Sequence, residues 1–219
     1  MKVNHKYIKL KYLIILLAIT FVKSLGQTNK DDFQARIGTS LKLSLNHGWD
    51  ISTQYQFRIT DHITHYKGSY FSGEIEKSLG DHFSVMTEYR LALVDKGTYH
   101  RYAFAIEASQ KIGIVTIALR PRIQHQKQNF NGDDEGSSDT DTYLRSRLTV
   151  KSPITKQLDA YIYAEPFYKL DKNPNLDWWR NSVGLKYEYA KRKKIKYTIT
   201  YGNEDIIAII DEEALKKIL

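Results

Sequence analysis

Residues 33–59 read FQARIGTSLKLSLNHGWDISTQYQFRI, and the order of apolar and polar side chains in this stretch decides the fold. Alternate residues over 33–45 are mostly apolar, and the residues between them are mostly polar or charged. The turn-forming residues 46–48 follow, and 49–59 repeat the same alternation. A period of two residues is typical of a β-strand whose two faces meet different surroundings. The stretch therefore predicts a β-hairpin.

The same alternation continues along the chain and predicts an all-β protein. It indicates ten strands, at about 33–45, 49–59, 69–79, 83–94, 99–111, 114–127, 142–152, 157–169, 178–190 and 195–202. Strands of about 11 to 13 residues can cross a hydrocarbon layer at a tilt near 40°. Short and longer connections alternate, which predicts hairpins with two different ends. We expect an antiparallel up-and-down transmembrane β-barrel of about ten strands.

The distribution of charge on the strands favours this fold. The face opposite the apolar one carries fifteen basic and eight acidic residues. In a membrane barrel this face lines the lumen, and the predicted lumen residues include Arg58, Glu74, Glu76, Glu88, Arg90, Glu107, Arg120, Arg122, Arg145, Arg147, Glu165, Arg180, Lys186 and Glu188. A soluble exported β-barrel or sandwich, with its charged face in water, is the alternative. Such a protein would bind a small ligand or a partner protein.

The N-terminus has the order of a secretory signal peptide. Residues 1–26 contain a basic stretch, an apolar run over 12–22 and small residues before Gln27. The apolar run is too short for a helix that spans a bilayer of about 30 Å. Five of the 33 basic residues lie in this segment, which leaves 28 basic against 25 acidic residues after cleavage. The mature chain is therefore only weakly basic, and we expect no nucleic-acid partner.

Length and composition exclude several other classes of protein. The 219 residues fit one domain, predicted as a barrel over 27–202, and 42% hydrophobic residues cannot supply several helical membrane spans. The absence of cysteine excludes a disulfide scaffold, a thiolate zinc site and a cysteine nucleophile. The tail 203–219 has acidic residues before basic ones and many strong helix formers. It predicts a short C-terminal helix.

Three groups of polar residues could carry chemistry, and each has a simpler interpretation. The loop 131–141 offers five carboxylates but lacks the spacing of an EF-hand, so a hydrated surface loop is favoured. His62 and His65 could share a metal ion, but no third ligand is identifiable. Ser84 lies near His82 without the orienting acid that a hydrolase triad contains. We predict no catalytic, cofactor-binding or metal-binding residue.

Several segments together resemble a known family. They are Gln27 after the export signal, YLRSRL at 143–148, AEPFY at 164–168 and WRNSVGLKYEY at 179–189. The combination resembles a family of Bacteroidota outer-membrane β-barrels known as domain of unknown function 2490, over roughly 30–202. The resemblance implies an outer-membrane barrel and carries no catalytic residue. Members resemble ordinary barrels in closing with an aromatic-rich final strand, from which the tail 203–219 departs.

The function expected from these features is non-enzymatic. We expect a chain exported through a cleaved signal to the cell outer membrane, with a passive-pore, transport or envelope-structural role. Its partners would be outer-membrane lipids, the outer-membrane assembly machinery and a small anionic solute. Filling of a narrow lumen by ion pairs is the favoured role of the inner charges. A weakly anion-preferring pore is the functional alternative, because bases outnumber acids on that face.

Overall fold

A computed structural model describes residues 32–94, 97–130, 140–171, 174–202 and 205–217. The proposed signal peptide and nearly all of the acidic loop 131–141 lie outside the described residues. Within the described ranges, no helix is long and apolar enough to cross a bilayer.

The described chain is almost entirely β-strand. The strands are β1 (Asp32–Ser44), β2 (Trp49–Thr60), β3 (His65–Leu79), β4 (Phe83–Val94), β5 (Gly97–Ile112), β6 (Val115–Phe130), β7 (Thr140–Pro153), β8 (Leu158–Lys169), β9 (Asn175–Ala190), β10 (Lys193–Gly202) and β11 (Asp205–Lys217). A single 3-10 turn, Asn46–Gly48, joins β1 to β2. The alternation of residue types thus located the first ten strands, and several of these run further than predicted. The longest reach 16 residues.

The strands form one closed barrel in which each strand pairs with its neighbours in sequence. The ring closes between β1 and β11, and these two strands run parallel. The barrel therefore has one strand more than the roughly ten predicted, and the prediction that every pair is antiparallel was wrong at the closing pair. An odd number of up-and-down strands leaves the first and last strands pointing the same way, so the closing pair has to be parallel.

The predicted C-terminal helix was also wrong, because the tail forms β11. Segment 205–217 pairs with β10 over 205–214 and with β1 along its whole length. Its isoleucines at 206, 207, 209 and 210 favour extended backbone, since β-branched side chains pack well on a pleated sheet. Without β11, β1 and β10 would each present an unpaired edge. Closure satisfies both edges, and this outweighs the helix propensity of residues 211–217.

The outer wall of the barrel is apolar. Large hydrophobic side chains that point outward are exposed in every strand, for example Ile37 on β1, Phe71 on β3, Ile123 on β6 and Ile210 on β11. Inward-facing residues alternate with them and are mostly polar or charged. This arrangement is the reverse of a soluble barrel, in which the apolar face forms the core.

The two ends of the barrel differ. At one end, which we call the turn end, β1 joins β2, β3 joins β4, β5 joins β6, β7 joins β8 and β9 joins β10. The other end, the loop end, holds Asp32 and the remaining connections, including 131–139 and 170–174. Connection lengths do not alternate strictly, since β4 and β5 are separated only by 95–96 at the loop end. The first described residue and the last lie at opposite ends.

One glycine is required by a close contact inside the wall. A Cβ at Gly184 would lie 2.7 Å from the carbonyl oxygen of Tyr197 and would collide with the Tyr161 ring. The Tyr161 hydroxyl contacts Thr198 across this position. The tyrosine ring therefore covers the backbone of β9 where the glycine leaves space, an arrangement that helps to hold strand register.

Candidate functional site in the barrel lumen

The inward-facing side chains enclose two cavities that follow one another along the barrel. The loop-end cavity, of about 480 Å³, includes His65 and Lys67 at the start of β3. The turn-end cavity, of about 510 Å³, extends from the middle of the barrel towards the opposite end. Arg58, Arg90 and Arg101 line both cavities. These three side chains, which we call the arginine layer, lie where the two cavities meet.

Basic groups outnumber acidic ones in the lumen. Twelve arginine and lysine residues line the turn-end cavity, against five aspartate and glutamate residues. The lining of the loop-end cavity consists of Arg58, His65, Lys67, Tyr70, Arg90, Ala92, Val94, Tyr99, Arg101 and Gln126, with no carboxylate among these described residues. The lining of both cavities therefore gives the interior a positive potential.

Glu88 on β4 is the acidic centre of the first cluster. Its Oε2 accepts a hydrogen bond from Arg122 Nη1 at 2.7 Å, and its Oε1 accepts one from Arg101. The Nε of Arg90 lies 3.5 Å from the same Oε1. The Glu88 side chain is 8% exposed, so water screens these contacts weakly. One carboxylate thus serves three guanidinium groups from three strands.

Glu165 on β8 is the centre of a second cluster of the same kind. Arg145 Nη2 lies 2.9 Å from Glu165 Oε1, and Oε2 lies 3.2 Å from Arg147 and 3.5 Å from Arg180. The Phe167 ring packs beneath the guanidinium groups of Arg145 and Arg180, at 4.4 and 5.0 Å. Glu165 is 3% exposed. Because Glu165 and Arg145 are almost fully buried, their ion pair is a structural element of the wall, while Arg147 and Arg180 also line the turn-end cavity.

Two further arginines have no acidic partner. Among the described residues, neither Arg36 nor Arg58 forms a salt bridge. The Nε of Arg36 is buried without a hydrogen-bond partner in the described chain. Arg58 Nε donates to Gln56 Oε1 at 3.2 Å, and its guanidinium carbon lies 3.6 Å from the centre of the Tyr70 ring. Both side chains line the turn-end cavity, so their charge faces the lumen.

The turn end is closer to charge balance. Lys42 lies 3.1 Å from both Asp50 and Glu76. Glu213 on β11 accepts a hydrogen bond from Lys186 at 2.9 Å and lies 3.4 Å from Lys196. The lysine side chains in these pairs are partly solvated, and the neighbouring carboxylates compensate their positive charges. The charge surplus is therefore concentrated in arginines near the middle of the barrel.

Most of the predicted lumen residues line the turn-end cavity. They are Arg58, Glu74, Glu76, Glu88, Arg90, Arg120, Arg122, Arg145, Arg147, Arg180 and Lys186. Glu107 pairs with Arg120 at 2.6 Å and Glu165 lies within its arginine cluster. Glu188 pairs with Lys194 at 3.5 Å near the turn end and is partly exposed. In the structure each of these acidic side chains contacts particular basic side chains, and the alternation of residue types did not predict those pairs.

The acidic residues that β11 adds to the lumen were missed by the sequence reasoning. Arg101 and Lys196 also line the turn-end cavity, and both belong to the fifteen basic residues predicted on the polar face. Asp211 and Glu213 were missed because the tail was assigned to a helix. In β11 the signal was weak, since Ile207 and Ile209 lie on the inner face and interrupt the alternation.

Neither the pair His62 and His65 nor the pair Ser84 and His82 forms a shared site, although two carboxylates lie beside His62. Asp32, Asp61 and His62 lie together at the loop-end rim, where Asp32 accepts a hydrogen bond from the backbone amide of His62 at 2.9 Å. His65 lines the loop-end cavity instead. The imidazole of His82 is 3.2 Å from the carbonyl oxygen of Ser109, and no hydrogen bond joins it to Ser84 in the described chain.

Fold and site together define the class: a closed eleven-stranded β-barrel with an exposed apolar wall and an arginine-rich lumen. The chain belongs to the family described as protein of unknown function (DUF2490), whose model matches residues 33–209. The match confirms membership of this family of unknown function, as the sequence resemblance predicted, and it extends into β11. No curated protein matches the chain.

Proposed function

We propose that this protein is a non-enzymatic outer-membrane β-barrel whose narrow lumen passes small anions. The observation that carries the proposal is the orientation of the strand faces on β6. Leu119 and Ile123 are 48% and 53% exposed on the outside, while their neighbours Arg120 and Arg122 line the lumen. An outer wall of this kind is stable in lipid and aggregates in water. The soluble alternative requires the opposite orientation.

Aromatic residues at the strand ends support a membrane position. Trp49 and Tyr187 are exposed on the outer wall near the turn end. Tyr168 and Trp179 are exposed near the loop end. Tyrosine and tryptophan rings are enriched where a barrel meets the two lipid–water interfaces, because one part of each ring is apolar and another is polar. Two such belts separated by an apolar wall suit a bilayer.

The lumen supports passage of anions over cations. Barrels of about eight strands are filled by side chains and those of 16 to 18 strands hold wide channels, so eleven strands suit a narrow path. The surplus of arginine over carboxylate lowers the energy of an anion at the middle of the barrel. The ion pairs of Glu88 and Glu165 hold the arginines in place. These arginines therefore both support the barrel wall and give the lumen its positive charge.

The proposed location accounts for the rest of the chain. Residues 1–26 would direct export and be removed, and the assembly machinery of the outer membrane would insert the barrel among outer-membrane lipids. Membrane fractionation and gel migration test this part. We expect the protein in the outer-membrane fraction, with unheated folded protein migrating differently from heated protein. Recovery in the soluble periplasmic fraction would contradict the proposal.

Planar-bilayer recording on purified, refolded protein tests the pore. We expect discrete conductance steps and a reversal potential, under a salt gradient, that shows anion preference. Steps with cation preference would contradict the lumen argument. A barrel that fractionates with the outer membrane and gives no steps would have an envelope-structural role instead.

A further inference from the structure

We infer that the loop-end cavity is a binding site for small organic anions with an acidic group and a planar apolar body. The inference deepens the proposed function by naming the class of solute, and it rests on that proposal for the direction of entry. The site consists of the arginine layer as its floor, with the rings of Tyr70 and Tyr99 and the side chains of Ala92 and Val94 in its walls.

The floor has more positive charge than its own partners neutralise. Arg90 and Arg101 share Glu88 with Arg122, and Glu88 lies outside the loop-end cavity. Within the described chain, Arg58 contacts Gln56 and the Tyr70 ring and has no carboxylate partner. Such a surplus of fixed donors favours a carboxylate, sulfonate or phosphate at the floor.

The walls determine what the rest of the ligand is. The turn-end cavity is lined mainly by charged and amide side chains, whereas Tyr70, Tyr99, Ala92 and Val94 contribute aromatic and aliphatic surface to the loop-end cavity. A volume of about 480 Å³ lies within the range of pockets, about 300 to 1,000 Å³, that hold small molecules. An apolar ring can pack on these walls while its acidic group meets the floor. A fully hydrated inorganic ion would leave this surface uncovered.

The other arginine cluster offers no equivalent site. Around Glu165, the Phe167 and Trp178 rings stack on each other at 3.7 Å, and both rings pack against the guanidinium group of Arg180. Glu165 itself supplies acceptors to those guanidinium groups. At the loop-end cavity the aromatic rings stand beside open volume, and no carboxylate lines it in the described chain. The two clusters therefore differ in role: one braces the wall and the other is open to a ligand.

Equilibrium dialysis of the detergent-solubilised full-length protein with 2-naphthoate tests the inference, with protein-free micelles as the blank. We expect saturable binding that is at least about tenfold tighter than that of acetate or of neutral 2-naphthylmethanol. Arg58→Gln should weaken 2-naphthoate binding about tenfold, because it removes an unpaired guanidinium group from the floor. Arg58→Lys should give an intermediate affinity, since it keeps the charge and loses the planar fork.

Lys151→Gln is the matched control. It makes the same change in charge at an exposed pair with Asp159, outside both cavities, and should leave 2-naphthoate binding unchanged. All variants are first compared with wild type for heat-modifiable migration, so that only folded protein is assayed. Equal 2-naphthoate affinity in wild type and Arg58→Gln would overturn the inference, and so would equal affinity for 2-naphthoate and its neutral analogue. Tight binding without bilayer conductance would refute the pore alone, whereas conductance without binding would refute the site alone.

Discussion

Replacement of Glu165 by glutamine should destabilise the barrel strongly. The change keeps the size of the side chain but removes a charge that lies 2.9, 3.2 and 3.5 Å from three arginine side chains. The amide nitrogen of glutamine is also a donor, and it would face donors. Loss of one partner from a buried ion pair costs about 3 to 5 kcal/mol. Since the glutamine oxygen still accepts one hydrogen bond, we expect about 3 kcal/mol, or a more than hundredfold change in the unfolding equilibrium.

Guanidinium-induced unfolding in phospholipid vesicles, followed by tryptophan fluorescence, would measure this loss. Glu188→Gln is the control, because it makes the same substitution at a partly exposed residue whose salt-bridge partner in the described chain is Lys194 at 3.5 Å. A surface pair of this kind contributes about 0 to 1 kcal/mol. A free-energy loss for Glu165→Gln no larger than that for Glu188→Gln would refute the reasoning. It would mean that water screens the Glu165 cluster as it does a surface pair.

Three other predictions concern closure, lipid contact and packing. Truncation before residue 205 should abolish heat-modifiable migration on a gel, because β1 and β10 would lose their pairing partner. A truncated chain that folds as wild type would contradict the closing role of β11. Ile123→Arg should lower the free energy of unfolding in vesicles by about 2 to 4 kcal/mol. Ile112→Arg, at the end of β5, should lower it by only about 0 to 1 kcal/mol, and equal losses would contradict a membrane-embedded wall. Gly184→Ala should lower the free energy of unfolding in denaturant by about 1 to 3 kcal/mol. Gly73→Ala should lower it less, because no atom lies near the added Cβ, and a larger loss for Gly73→Ala would contradict the close contact between Gly184 and Tyr161.

Most of the strands could be predicted from the sequence, but the contacts between strands could not. The hairpin at 33–59 and the strands up to 202 were predictable, because a period of two residues is a local property of each strand. Segment 205–217 was not, since isoleucines on its inner face and Glu212 on its outer face weaken the alternation. Its state depends on two edges, in β1 and β10, that are distant in sequence and absent from local propensity.

The candidate site shows the same division. Alternation placed Arg58, Arg90 and Arg122 on the polar face of their strands, and the structure puts them in the lumen. Alternation could not predict that Glu88 pairs with three arginines from three strands, or that Arg58 pairs with no carboxylate in the described chain. That division of partners depends on strand register and tilt, which only closure of the ring determines.

The sequence by itself determined which face of each strand is apolar and which is charged, because side-chain direction follows from backbone geometry one residue at a time. The tertiary structure alone decided the number of strands, the parallel seam between β1 and β11, and the side of the sheet that faces outward. It also decided which arginines remain without a carboxylate. Each of these depends on contacts between residues far apart in the chain, and these form together when the barrel closes.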